Sequence, residues 1–422
     1  MSDTSDIQAI IDNAPPGTVV SLDQNRQYVI SPGASNIGGI VLRNSYITLN
    51  LNGSTLVAAN NVPVAFSTVM VTGPGCRVLN GTLLGPVTGG GEHQHGLWVQ
   101  GAGFVGSDIV SNLNRGDGIY CYTGADGVTL RRCITQSNFR NGVTAGGAIS
   151  GMMVDNLVST GNLAQQFDVE PDSSSGIVVN NLVINGSILD CMQSTDYAVT
   201  LGDKGRNHKL INSTINGGIF MPWADSVDII DCNGTNRTSK GCVEINRAST
   251  RINISRCNFM ATVAKRAILC EATAGGSPDA ITIIDTNLTT QAPGACAIEN
   301  NNAISLHIER CQLQGNGTRA AQRGGIMNRA TILPPGQMKS VTIIDTNILD
   351  FGEAAVVCGG NSAVLADGTK IVSSIYRVTA LNLSHNMPIR FLMDNTVQHF
   401  VSDMPRVGPD AGGFSGDWTL LY

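Results

Sequence analysis

A seven-residue phrase recurs along this chain of 422 residues and constrains its fold more than any other feature. It reads ITLNLNG from Ile47, CRVLNGT from Cys76, FVGSDIV from Phe104, VTLRRCI from Val128, MMVDNLV from Met152 and IVVNNLV from Ile177. It continues as HKLINST from His208, VDIIDCN from Val227, INISRCN from Ile252, ITIIDTN from Ile281, LHIERCQ from Leu306 and VTIIDTN from Val341. The twelve copies start 19 to 35 residues apart, so the repeat varies in length while its apolar positions stay fixed, and the variation falls in loops. First and third residues are mostly apolar, as a half-buried strand requires. The sixth is small or apolar, as in Cys133, Ser213, Cys232, Cys257, Thr286, Cys311 and Thr346, which reads as one interior column. Asn233, Asn258, Asn287 and Asn347 follow at the seventh position as an amide ladder.

A second short strand follows each phrase, usually opening on Gly or Ala: GLWVQ (96–100), GIYCY (118–122), GVTAG (142–146), FDVEP (167–171), AVTLGD (198–203), GIFMPW (218–223), CVEIN (242–246), AILCEA (267–272), CAIEN (296–300) and GIMNR (325–329). Two strands and their turns in about 25 residues suit a solenoid coil, where each rung buries its apolar face only against its neighbours. The fold class is therefore all-β, a right-handed parallel β-helix of about twelve rungs over residues 46–360. Residues 1–45 form an N-terminal cap and the first strands, and 361–422 a C-terminal β cap or oligomerisation segment. Within the first of these, SDIQAIIDNA sets Ile7, Ile10, Ile11 and Ala14 at helical spacing, with Ser5 or Asp6 as N-cap, to cover the open end of the first coil. The 49 glycines and a charged fraction of only 14% agree with many tight turns and few helices.

A formal net charge of -6 without any Lys/Arg cluster argues against nucleic acid or an anionic membrane as partner. The start of the chain lacks a basic segment followed by an apolar run, so it reads as made without a Sec signal. Its eleven cysteines are odd in number and contain no CxxC, which predicts buried thiols and no disulfide framework.

From IQAIIDNAPPGTVVSL through VLRNSYITLNLNGSTL to the rungs, residues 5 to about 360 resemble the pectate-lyase-like superfamily. That superfamily contains polysaccharide lyases, glycosidases, epimerases, phage tailspikes and non-enzymatic adhesins, so the resemblance implies the fold more sharply than the reaction. With no secretion signal, the chain is most similar in character to phage tailspike depolymerases. This implies a virion-associated protein, or one set free by lysis. It also implies a homotrimer, a bacterial capsular, O-antigen or exopolysaccharide as partner, and no cofactor.

Alternation along the second strands turns Trp98, Gln100, Tyr120, Tyr122, Thr144, Gly146, Asp168, Glu170 and Thr200 outward, followed by Phe220, Trp223, Glu244, Asn246, Glu271 and Glu299. In FDVEPD, Asp168 and Glu170 lie two residues apart on one face, with Cα atoms about 6.5 to 7 Å apart. Glycoside hydrolysis needs two carboxyl groups, one to protonate the leaving oxygen and one to activate water or attack carbon. Asp168 and Glu170 are thus the candidate catalytic pair. The candidate substrate-binding residues are His95, Trp98, Tyr120, Tyr122, Arg140, Asp203, Trp223 and Glu244, since aromatic faces beside carboxylates and an arginine stack and orient sugar rings. Trp223 is read equally as a sugar platform or as a plug in its turn.

Two further features stay open in the sequence. Glu92, His93 and His95 bring metal-ligand types together without evident third and fourth ligands, and no metal is expected. Asp117 in NRGDGIYC is either a third carboxylate or an ordinary Asp-Gly turn. Polygalacturonase-type glycosidases also carry their carboxylates on the strand after the phrase, but their Asp-Asp pair and Gly-His-Gly motif are missing. The Gly-Phe-Asp-Pro-His signature of C5-epimerases and related lyases is matched only at Phe167 and Asp168. A polysaccharide hydrolase leads. A lyase or epimerase acting on uronic-acid glycans by β-elimination, with Arg140 and a tyrosine base, is the alternative, and a non-catalytic glycan-binding adhesin or spike is the third reading.

Overall fold

Parallel pairing between successive copies of the phrase builds the fold. In the computed structural model the chain is an all-β parallel β-solenoid of about 11 turns with one short helix. The structure describes residues 3–33, 37–170, 178–191, 197–202, 204–273, 276–318, 324–330, 338–351, 354–360, 370–381, 387–391, 397–402 and 418–420. The chain forms two compact units, Met1–Asn216 and Gly217–Tyr422.

In the first unit the second phrase position runs in register through Thr48, Arg77, Val105, Thr129, Met153, Val183 and Lys209. This register corrects one copy of the phrase. The rung after Met152 begins at Leu182, not Ile177, because Val183 pairs with Met153 and Ile188 with Val158. Two overlapping frames share the apolar pattern there, and residues 179 and 180 belong instead to an extra short strand, Val179–Asn180, paired with Ile149–Ser150. In the second unit Val227, Ile252, Ile281, Leu306 and Val341 stack in the same way. Parallel pairing continues beyond residue 360, with Lys370–Tyr376 on Met338–Ile344, Val397–Ser402 on Lys370–Tyr376 and Trp418–Leu420 on Val397–Ser402.

From the Phe104 copy on, the phrase turns at its fifth residue, which adopts the left-handed backbone conformation: Arg132, Asn156, Gly186, Asn212, Asp231, Arg256, Asp285, Arg310 and Asp345 all have φ between 48° and 59°. The sixth residue then points inward and closes the turn. Ser213 Oγ donates to the Ile211 carbonyl at 2.7 Å, Thr286 Oγ1 to Ile284 at 2.9 Å, and the thiols of Cys232, Cys257 and Cys311 to the carbonyls two residues back at 3.3 Å each. A small side chain with one donor fits that column because it satisfies a carbonyl that the turn leaves open. The ten cysteines described are all free and buried. The amide column is in register as well, Asn233 to Asn258, Asn287, Gln312 and Asn347, and faces solvent.

The helix spans Asp3–Asp12, so Ser5 and Asp6 lie inside its first turn and do not cap it. Its buried stripe is Thr4, Ile7 and Ile11, while Ile10 is 57% exposed. Gln8 does the work of a neighbouring strand, accepting the Val41 N–H at 2.7 Å and donating to the Val41 carbonyl at 2.9 Å. Thr4 Oγ1 and Asp3 Oδ2 likewise accept the Ser31 and Val29 N–H groups, at 2.8 and 3.0 Å. The open edge of the first coil is thereby satisfied by helix side chains.

Candidate active site

Five short parallel strands of the first unit, His95–Val99, Ile119–Cys121, Val143–Gly146, Phe167–Glu170 and Val199–Thr200, align Trp98, Tyr120, Thr144, Asp168 and Thr200 in one outward file. Between them Leu97, Val99, Ile119, Cys121, Val143, Ala145, Phe167 and Val169 are buried, so the inward half of the alternation read from the sequence is present. Asp168 is half-buried and Glu170 exposed, both on the outward face, while Thr144 and Thr200 are covered.

Beside these apolar side chains one column of the coil interior is polar. Asn114 Nδ2 donates to Asn138 Oδ1 at 2.9 Å, Asn138 Nδ2 to Asn162 Oδ1 at 2.8 Å, and Asn162 Nδ2 to Gln166 Oε1 at 2.6 Å. Ser111, Thr135 and Ser159 line the same interior, and Ser159 Oγ comes so close that a Cβ on Gly142 would lie 2.0 Å from it. A fully bonded interior of this kind permits few alternative side-chain positions.

A staircase of side chain to backbone bonds climbs beside the file. His95 Nδ1 accepts the Asp117 N–H at 3.1 Å, Asp117 Oδ1 accepts the Asn141 N–H at 2.9 Å, and Asn141 Oδ1 accepts the Gln165 N–H at 3.0 Å. From the staircase two arms reach the carboxylate pair. Arg140 Nη1 donates to Asp117 Oδ2 at 3.1 Å and its Nη2 to Glu170 Oε2. Asn141 Nδ2 donates to Asp168 Oδ2 at 3.2 Å.

Aromatic rings complete the site. Tyr120 is stacked between His95, at 4.6 Å and 15°, and Tyr122, at 5.6 Å and 20°, with Trp98 tilted at 6.1 Å. Gly146 is buried against the Tyr120 ring, where a Cβ would lie 3.1 Å from Tyr120 Oη.

Burial sets the electrostatics. It raises the Asp117 carboxyl to about 7, against the pull of Arg140, with Glu170 adding to the rise. It lowers His95 to about 3, helped by Arg140 and His93, so the imidazole is neutral with its proton on Nε2. Burial, then Glu170 and Asp117, push the Tyr120 phenol above its ordinary range. Although burial pulls Arg140 down, Asp117 and Glu170 hold its guanidinium above the usual value.

The sequence candidates separate accordingly. Asp168, Glu170, Arg140, Trp98, Tyr120 and Tyr122 come together. His95 is only 2% exposed, so it supports Tyr120 from below and does not offer itself as a substrate contact. Asp117, read from the sequence as a third carboxylate or a turn, is fully buried under Arg140. Asp203 lies outside the described residues. In the second unit, Trp223 carries the Arg247 guanidinium 3.5 Å from its ring centroid and sits at a left-handed turn, which fits the plug. Glu244 is 4% exposed, accepts the Gly241 N–H at 2.8 Å and faces Arg266 at 3.9 Å; it is placed to hold its own loop, and not to meet a ligand. Among the described residues no group of three or more His, Cys, Asp or Glu is placed to hold a metal ion.

No protein-family model and no curated protein sequence matches the chain. Among solved structures it is similar to the tailspike protein of E. coli bacteriophage HK620 in complex with a pentasaccharide, at 14% identity and a TM-score of 0.56, covering 91% of this chain and 75% of that one. It is also similar to the catalytic domain of a GH87 alpha-1,3-glucanase in complex with tetrasaccharides, at 13% identity and a TM-score of 0.50, covering 77% and 66%. Pectate lyase Pel9A matches at 15% identity and a TM-score of 0.45, covering 74% and 76%. The chain thus shares the parallel β-helix architecture of the phage tailspike and the glucanase domain, and at these identities the likeness extends to the fold alone.

Proposed function

We propose that the protein binds an extended bacterial surface polysaccharide along the outward file of the first unit and hydrolyses it, with Asp168 and Glu170 as the catalytic pair. The observation that carries this reading is that both carboxylates leave one strand on the same face, each held by its own neighbour, Asn141 or Arg140, beside stacked aromatic rings. Side chains at this spacing reach the separations of about 5 to 9.5 Å used by retaining and inverting glycosidases. Tyr122 and Trp98 offer half-buried ring surface for stacking.

Elimination from a uronic-acid glycan is the second reading, favoured by Arg140 beside the pair. It is weakened by Tyr120, whose phenol holds its proton more tightly than usual and is a poor base at neutral pH. Products decide between them: hydrolysis releases reducing ends without ultraviolet absorbance, elimination leaves an unsaturated absorbing sugar, and an adhesin releases neither. A panel of capsular and O-antigen polysaccharides provides the substrates. The tailspike-like fold supports a homotrimer carried on a virion or released at lysis, which light scattering and particle fractionation test.

A further inference from the structure

We propose that Asp117 is a positioning residue, a single buried side chain that fixes both arms holding Asp168 and Glu170. The inference rests on the function proposed above, in which that pair is the reaction centre. Arg140 and Asn141 are consecutive and diverge, one to Glu170 and the other to Asp168. Both start from Asp117. Its Oδ2 accepts from Arg140 Nη1 at 3.1 Å, and its Oδ1 accepts the Asn141 N–H at 2.9 Å. The Asp117 N–H in turn donates to His95 Nδ1 at 3.1 Å, and His95 supports the Tyr120 ring, so the aromatic side of the site is tied to the same residue.

A simple Asp-Gly turn would need one carboxylate oxygen on one N–H. Here the second oxygen holds a guanidinium whose far end is bonded to an exposed glutamate. With no exposed surface, Asp117 does not touch a substrate. It acts through the charge it shares. His95 faces it from the preceding rung, Tyr120 from its own, Arg140 and Thr144 from the next, and Glu170 from the one after. When Asp117 is ionised, Arg140 divides its charge between two carboxylates; when Asp117 is protonated, Glu170 holds the guanidinium alone.

Such coupling is reciprocal, so a change at Glu170 must be felt at Asp117. Carbon-13 NMR of aspartate-labelled protein reads it directly, by following the Asp117 carboxyl in wild type and in Glu170→Gln. Because Glu170 is exposed, that variant keeps the fold. Removing its charge and leaving Arg140 to Asp117 is expected to lower the Asp117 midpoint by about half a unit or more. An unmoved midpoint overturns the proposal, whatever the protein's activity. The kinetic arm uses Asp117→Asn, alone and combined with Glu170→Gln. Asparagine still accepts the Asn141 N–H but turns an N–H toward Arg140, and kcat is expected to fall about tenfold or more with KM little changed. The double variant should be no slower than Glu170→Gln alone; losses that simply multiply also overturn the proposal. The reading of the pair as reaction centre fails separately, if Asp168→Asn and Glu170→Gln both keep full rate while the Asp117 midpoint still shifts.

Discussion

In the second unit, Asp231, Asp285 and Asp345 alternate with Arg256, Arg310 and Arg377 at the turning residue of successive rungs. Each arginine grips the preceding aspartate with two bonds of 2.5 to 3.0 Å. In the first unit the same position holds Asn80, Asp108, Arg132, Asn156, Gly186 and Asn212, and of these only Asp108 and Arg132 form an ion pair. The seventh position differs as sharply. It is the exposed amide column in the second unit, but Thr82, Val110, Ile134, Val158, Ile188 and Thr214 in the first, a run of β-branched side chains. One backbone repeat is thus stabilised in two ways. The second unit repeats one exposed contact rung after rung, whereas the first buries a bonded amide interior and places on it residues that occur once, among them Asp117 and Arg140. The lesson is that chemistry is to be sought where the columns stop repeating.

The sharpest way to break this comparison is catalytic. Asp168→Asn and Glu170→Gln should each lower the rate of reducing-end release by about 100-fold or more. Glu271→Gln, an outward carboxylate of the second unit, should leave the rate unchanged; the reverse result in the same assay would move the reaction to the other unit. Next in size, Asn138→Ala cuts the buried amide ladder and strands its neighbours, so denaturant unfolding should show a loss of about 2 to 4 kcal/mol. Asn258→Ala, in the exposed amide column, should change stability by about 0.5 kcal/mol or less.

Acid should act on the first unit through His208, which is 1% exposed, has no hydrogen-bond partner on either ring nitrogen among the described residues, and is held by burial at about 4. Its proton is taken up more readily by the unfolded chain, so the neutral histidine's full contribution is present above about pH 6.5 and is lost as pH falls toward 4. His208→Leu should therefore gain on wild type by up to about 3 kcal/mol across that window, measured by urea melts at several pH values. Parallel melts that never diverge would remove histidine as the source of acid sensitivity. The smallest effect belongs to the ion ladder: Arg310→Gln should lower Tm by at most a few degrees, and high salt should erase the difference.

Much of the architecture was legible because a coil stacks like on like. The apolar first and third positions, the small sixth position and the outward placement of Asp168 and Glu170 all follow from strand alternation and are present. The frame at Ile177 was misread because residues 177–183 and 182–188 both satisfy that alternation, and only pairing to Met153 and Val158 separates them. The helix start was misplaced because Asp3, Ser5 and Asp6 are all good capping residues. A polar residue on a strand reads as outward, which makes His95 and Glu244 ligand contacts in the sequence, yet both are buried in the structure. The role of Asp117 was hidden for a different reason. Arg140 lies 23 residues further along and Glu170 another 30 beyond it, and their meeting depends on rung lengths that a lone sequence leaves free.

The inward thiols carry a practical consequence. Burial raises Cys121, Cys242 and Cys270 to about 12 and Cys133 and Cys311 to about 11, so hardly any thiolate is present at neutral pH. An alkylating reagent can reach such a sulfur only when its own coil comes apart. Spread from Cys76 to Cys311, they make the chain its own recorder of local opening: the order in which they become labelled in rising denaturant traces where unravelling begins and how far along the axis it spreads.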